Sequence, residues 1–122
     1  ICWANELSLF VAVSNSGTNR IMTSSDGIIW TSRNINLYND WCQVIWSNEF
    51  QTLIAIADNY SYFPIMISNN GINWKPISSK NINNRLSTIR FSYLNNYSGE
   101  DVIIVDSIGI LLTLYFYWFQ MY

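Results

Sequence analysis

Short apolar runs separated by polar clusters set the rhythm of the chain. Leu9-Phe10-Val11-Ala12-Val13 is apolar, rich in β-formers and five residues long. That pattern predicts a strand buried on both faces. Trp41 to Trp46 alternates and reads as the innermost strand of a second sheet, followed by a strand over Thr52 to Ala57. Third strands are expected over Arg20–Ser24 and Pro64–Ser68, and returning strands over Ile28–Arg33 and Trp74–Ser78. Pro76 inside the last of these marks an outer edge, because proline cannot donate to a ladder. Polar segments join the runs: a turn at Asn5-Glu6, a loop over Ser14–Asn19, a connector over Asn34–Asn39, a turn at Asn48–Gln51 and a loop over Asp58–Phe63.

These elements recur. Trp3-Ala4-Asn5-Glu6-Leu7 matches Trp46-Ser47-Asn48-Glu49-Phe50, with the tryptophans 43 residues apart. Gly27 and Gly71 are 44 apart, so the second copy carries one extra residue between Ala57 and Ile65. A period of roughly 40–50 residues belongs to propeller blades. Helical repeats of similar length need a period of 3.6, and these segments alternate with period 2. A third copy begins at Leu86–Ser92, offset by 45 from Trp41–Ser47. It continues through Asp101–Asp106, with a third strand expected over Gly109–Thr113. The chain then reads Leu114-Tyr115-Phe116-Tyr117-Trp118-Phe119-Gln120-Met121-Tyr122, which no blade pattern explains.

The most distinctive stretch is Thr23 to Trp30, TSSDGIIW, with its echo ISNNGINW at Ile67 to Trp74. A tight turn needs a residue tolerant of positive φ, which Gly27 supplies. Asp26 and a serine hydroxyl can accept backbone N–H bonds within the turn. Trp30 offers an apolar plate to cover it. Asn70 replaces Asp26 in the second copy, keeping an acceptor oxygen and losing the charge, so turn closure rather than catalysis is the expected role.

The motif resembles the Asp-box, or BNR repeat, of β-propellers such as the sialidases. Ser24, Asp26, Gly27 and Trp30 carry the match, and Ser68, Asn70, Gly71 and Trp74 repeat it. Two features depart from the family pattern: Gly27 follows Asp26 directly, one residue early, and the second copy lacks the aspartate. The resemblance implies an all-β partial propeller of four-stranded antiparallel blades: blade one over 1–34, blade two over 35–80 and an incomplete blade three over 81–122. It also implies further blades, or self-association, because repeat units bury their faces against neighbours. The chain opens in mid-pattern at Ile1, which fits a fragment of a longer array.

Composition narrows the chemistry. Half of the residues are apolar and 11% charged, with a net charge of −2. That balance excludes the basic footprint of a nucleic-acid binder. With no histidine and no carboxylate cluster, neither a metal nor another cofactor is expected. Cys2 and Cys42 occupy non-equivalent repeat positions and read as two buried, reduced thiols. A sialidase-like reaction would need three converging arginines and an activated tyrosine, and Arg20, Arg33, Arg85 and Arg90 stand in no such context. Glu6 and Glu49 are repeat-equivalent, hence structural. The tail, 107–122, is uncharged but short for a membrane span. The loop aromatics Tyr38, Tyr60, Tyr62 and Phe63, with Asn59, are the candidate ligand surface. The expectation is a non-catalytic binding or scaffold module with a protein or glycan partner; the alternative is a piece of a sialidase-like glycoside hydrolase.

Overall fold

The computed structural model describes residues 1–58, 61 and 63–77, and beyond them the strands over 86–92, 101–106 and 111–114, of which only the Ile89 side chain is defined. The fold is all-β. The strands in chain order are β1 (Cys2–Ala4), β2 (Leu9–Val13), β3 (Ile21–Ser24), β4 (Thr31–Ser32), β5 (Trp41–Ser47), β6 (Thr52–Ala57), β7 (Ile65–Ser68), β8 (Lys75–Ile77), β9 (Leu86–Ser92), β10 (Asp101–Asp106) and β11 (Leu111–Leu114). One 3-10 turn, Asn5–Leu7, joins β1 to β2. Within each sheet consecutive strands pair antiparallel, giving three meanders: β1-β2-β3-β4, β5-β6-β7-β8 and β9-β10-β11. Short polar connections allow this, since antiparallel neighbours need only a hairpin.

The second sheet lies between the other two. Strand β5 packs against β1 and β2 on one side, and β9 packs against β5 and β6 on the other. Burial follows. Leu53, Ile54, Ala55, Ile56 and Ala57 are all buried, so successive side chains on both faces of β6 leave water. Each large one is worth roughly 1.5–3 kcal/mol of transfer free energy. The equivalent strand β2 buries only Val11 fully. The expectation of a strand buried on both faces therefore fails for Leu9–Val13, because nothing among the described residues covers the far face of the first sheet. Trp3 differs from its repeat partner for the same reason. It is 44% exposed and leans on Phe10, its cross-strand neighbour, with ring centroids 4.5 Å apart, while Trp46 is buried.

The first returning strand is shorter than the alternation predicts, and the second starts one residue later than expected. The first is only Thr31–Ser32 and the second Lys75–Ile77. The backbone N–H groups of Ile28 and Ile29 donate to Asp26, and those of Ile72 and Asn73 donate to Asn70, so these residues belong to the turns and not to the ladders. The third strand of the third sheet covers Leu111–Leu114, overlapping the stretch where it was expected, and Gly109 and Ile110 lie outside the described residues. Residues 78–85, 107–110 and 115–122 lie outside the described residues, and with them most of the apolar tail.

Two backbone irregularities repeat with the sequence. Trp41 pairs with Ala57 and Gln43 with Ile56, leaving Cys42 as an extra residue in β5. In β9, Thr88 pairs with Val105 and Leu86 with Asp106, leaving Ser87 as the extra residue. These are bulges at equivalent positions, 45 residues apart. Ser8 (φ 48°) and Gln51 (φ 50°) likewise adopt the left-handed conformation, 43 residues apart. The bulge also corrects the picture of two buried thiols. Neither cysteine is in a disulfide; Cys2 is partly covered, its pKa pushed up to about 11 chiefly by burial, while Cys42 on the bulge is exposed, its Sγ donating to Ile56 O at 3.5 Å.

Candidate functional site: the repeated turns and the seams between sheets

The turn after β3 is closed by two side chains. Ser24 Oγ accepts from the N–H of Gly27 at 2.8 Å and from that of Asp26 at 3.3 Å. Its hydroxyl donates to Asp26 Oδ1 at 2.9 Å. Asp26 Oδ1 accepts from Ile28 N at 2.8 Å and Ile29 N at 2.9 Å. Trp30 Nε1 donates to Gly27 O at 3.1 Å and lays its ring over the turn. Gly27 has φ +75°, where an L side chain is disfavoured.

The turn after β7 has the same bonds. Ser68 Oγ accepts from Gly71 N at 2.9 Å and Asn70 N at 3.3 Å. Asn70 Oδ1 accepts from Ile72 N and Asn73 N, both at 2.9 Å, and Trp74 Nε1 donates to Gly71 O at 3.2 Å. Gly71 has φ +74°. One acceptor oxygen suffices for the motif, and both aspartate and asparagine provide it. The carboxylate does have a consequence for Asp26. Hydrogen bonds from Ile29, Ile28 and Ser24 hold its pKa below the ordinary value. A depressed carboxylate contributes stability above its unfolded pKa, near 4, and loses it as pH falls through the folded value. Asp26→Asn is therefore expected to lower the urea midpoint slightly at pH 7, and the gap to wild type should close below about pH 4. A gap that widens on acidification would contradict this.

Polar groups also bridge the sheets. Glu6 Oε2 accepts from Trp46 Nε1 at 2.6 Å, joining the 3-10 turn of the first sheet to the inner strand of the second. Partial desolvation pushes the Glu6 carboxyl up, but hydrogen bonds from Trp46, the backbone, Asn5 and Gln51 outweigh it and leave the pKa lowered. Between the second and third sheets, Gln43 Nε2 donates to Ile89 O at 2.9 Å and Ile89 N donates to Gln43 Oε1 at 3.0 Å. The carboxamide occupies the free edge of β9 as a paired strand residue would. Nothing in the local sequence announces this contact, since the partners lie 46 residues apart.

The arginines that are described serve the scaffold. Arg20 Nε donates to Gly17 O at 2.7 Å, and its Nη1 reaches Asn39 O at 3.2 Å and Asp40 at 3.5 Å. Arg33 Nε donates to Thr23 Oγ1 at 2.8 Å. A shallow hollow of about 320 Å³ lies beside the first turn, lined in part by Asp26 and Arg33. Both are held by the bonds just given, so the hollow reads as the turn's own surface.

Of the loop aromatics, Tyr38 is 65% exposed and Phe63 37%. Buried Asn39 Nδ2 donates to Phe63 O at 2.6 Å, which draws the two loops together. Asn59, Tyr60 and Tyr62 lie outside the described residues. Among the described residues, no three potential metal ligands cluster, and no helix is long and apolar enough to cross a membrane. No family model, curated protein or solved structure matches the chain.

Proposed function

We propose that the chain is a run of Asp-box propeller repeats acting as a non-catalytic binding or scaffold module for a protein or glycan. The observation that carries this reading is the identity of the two turns, bond for bond, each joining the third and fourth strands of a four-stranded meander. Two further features support it. The inner strands β1, β5 and β9 follow one another in space as the repeats follow in sequence. The Glu6–Trp46 bond is a repeat-to-repeat link, and the Trp3 indole, at the position equivalent to Trp46, has no hydrogen-bond partner among the described residues. On this reading Trp3 and the open face of the first sheet await another sheet of the same construction. Arg20 and Arg33, spent on the scaffold, weigh against a sialidase-like catalytic site.

Light scattering with far-UV circular dichroism on the 122-residue chain tests it. A β spectrum with discrete self-association is the expected result, because an open sheet face of this kind seeks cover. A monodisperse monomer with sharp two-state unfolding would remove the need for stacked neighbours and overturn the reading. Trp46→Phe, which deletes the indole N–H and keeps a ring, should lower the urea midpoint without changing m.

A further inference from the structure

The second sheet carries a groove that the repeat does not need. Its volume is about 430 Å³, within the roughly 300–1,000 Å³ of small-molecule sites. The connector after β4 forms one wall. There the chain alternates Asn34-Ile35-Asn36-Leu37; Ile35 and Leu37 pack onto the core, leaving Asn34 and Asn36 exposed. The turn after β7 forms the other wall, with exposed Asn73 and half-buried Trp74. Buried Met66 lies at the floor.

The polar groups are uncommitted. The side-chain amides of Asn34, Asn36 and Asn73 have no hydrogen-bond partner among the described residues, whereas Asn39, Asn70 and other polar side chains nearby are engaged in structural bonds. Each amide offers two donors and an acceptor. Trp74 Nε1 is committed to Gly71 O, so what this residue gives the groove is its apolar ring, in a fixed orientation. None of the lining residues carries a charge. An apolar plate with convergent neutral amides suits a ligand with one apolar face, a hydroxylated rim and no charge.

We propose that this groove binds a neutral pyranose sugar, with the ring stacked on Trp74 and its hydroxyls bonded to Asn34, Asn36 and Asn73. The proposal rests on the module reading and names the ligand class within it. Phosphate, sialic acid or an acidic peptide would find no cation among the groove's lining residues.

The test uses the whole chain with maltotriose, cellotriose, lactose and N,N′-diacetylchitobiose as probes and sialyllactose as the charged control, read by saturation-transfer NMR. At least one should bind. The double variant Asn36→Ala/Asn73→Ala should weaken that binding about tenfold, the loss of two modest hydrogen bonds, with an unchanged dichroism spectrum, because both side chains are exposed and unbonded. Trp74→Phe should weaken it further. Absence of binding to all four sugars, binding that survives the double variant, or binding of sialyllactose alone would each overturn the proposal. Such a failure in a chain that keeps its β spectrum and discrete assembly leaves the module reading in place. A disordered chain, seen before any sugar is added, sinks both.

Discussion

Gly71→Ala is expected to destabilise the protein by about 2–5 kcal/mol, and Gly27→Ala by only about 1–2 kcal/mol. The two glycines share a backbone conformation, φ +74° and +75°, so each substitution carries the same left-handed penalty. The surroundings separate them. A methyl at Gly27 would meet nothing closer than the Phe10 ring at 3.6 Å, an ordinary contact. A methyl at Gly71 would come within 2.8 Å of Leu9 Cδ2, with Leu53 at 3.5 Å and Thr23 at 3.6 Å behind it. Leu9 and Thr23 belong to the first sheet, so this turn is wedged into the seam. Leu9 can rotate, which is why the added cost is that of overpacking, about 1–3 kcal/mol, and not of an outright collision. Urea titration followed by tryptophan fluorescence reads both variants. Equal losses would mean that the seam yields freely and that Gly71 is kept for its dihedral alone.

Gln43→Ala should cost about 2–4 kcal/mol and open the third sheet selectively. Truncation strands the N–H and C=O of Ile89, a residue only 1% exposed, so water does not readily replace the lost carboxamide. A buried unpaired backbone group costs about 1–3 kcal/mol. Native-state hydrogen exchange gives the sharper readout. Protection at the Ile89 amide should fall about thirtyfold for a loss near 2 kcal/mol, with smaller changes in the first sheet. Unchanged protection at Ile89 would show that the clasp carries no free energy.

Strands and turns were legible in the sequence because their causes are local. Apolar runs and period-2 alternation located β2 to β8 to within a few residues, and the Ser-x-Asp-Gly and Ser-x-Asn-Gly spacings placed both turns. What stayed hidden has non-local causes. Trp3 and Trp46 occupy the same repeat position, yet one is half-exposed and the other buried, because only Trp46 has a neighbouring sheet over it. Asp26 draws the Ile28 and Ile29 N–H groups out of the following strand, which shortens it, and alternation alone carries no mark of that competition. The bulges at Cys42 and Ser87 were a missed signal: the two positions are repeat-equivalent, but neither bears the glycine that often betrays a bulge. The groove was missed because its two walls come from segments more than 30 residues apart, and three asparagines in loops look like loop composition until the fold brings them to one rim.

The second turn also bears on how the molecule ages. Asn70-Gly71 is the dipeptide most prone to deamidation, a reaction in which the glycine nitrogen attacks the asparagine side-chain carbon. Here that nitrogen is tied to Ser68 Oγ, and the side chain is pinned by Ile72 and Asn73. The folded turn thus withholds both reactants from one another, and the damage is confined to moments of local opening. Direct hydrolysis to aspartate would produce, in the second repeat, the residue that already closes the first.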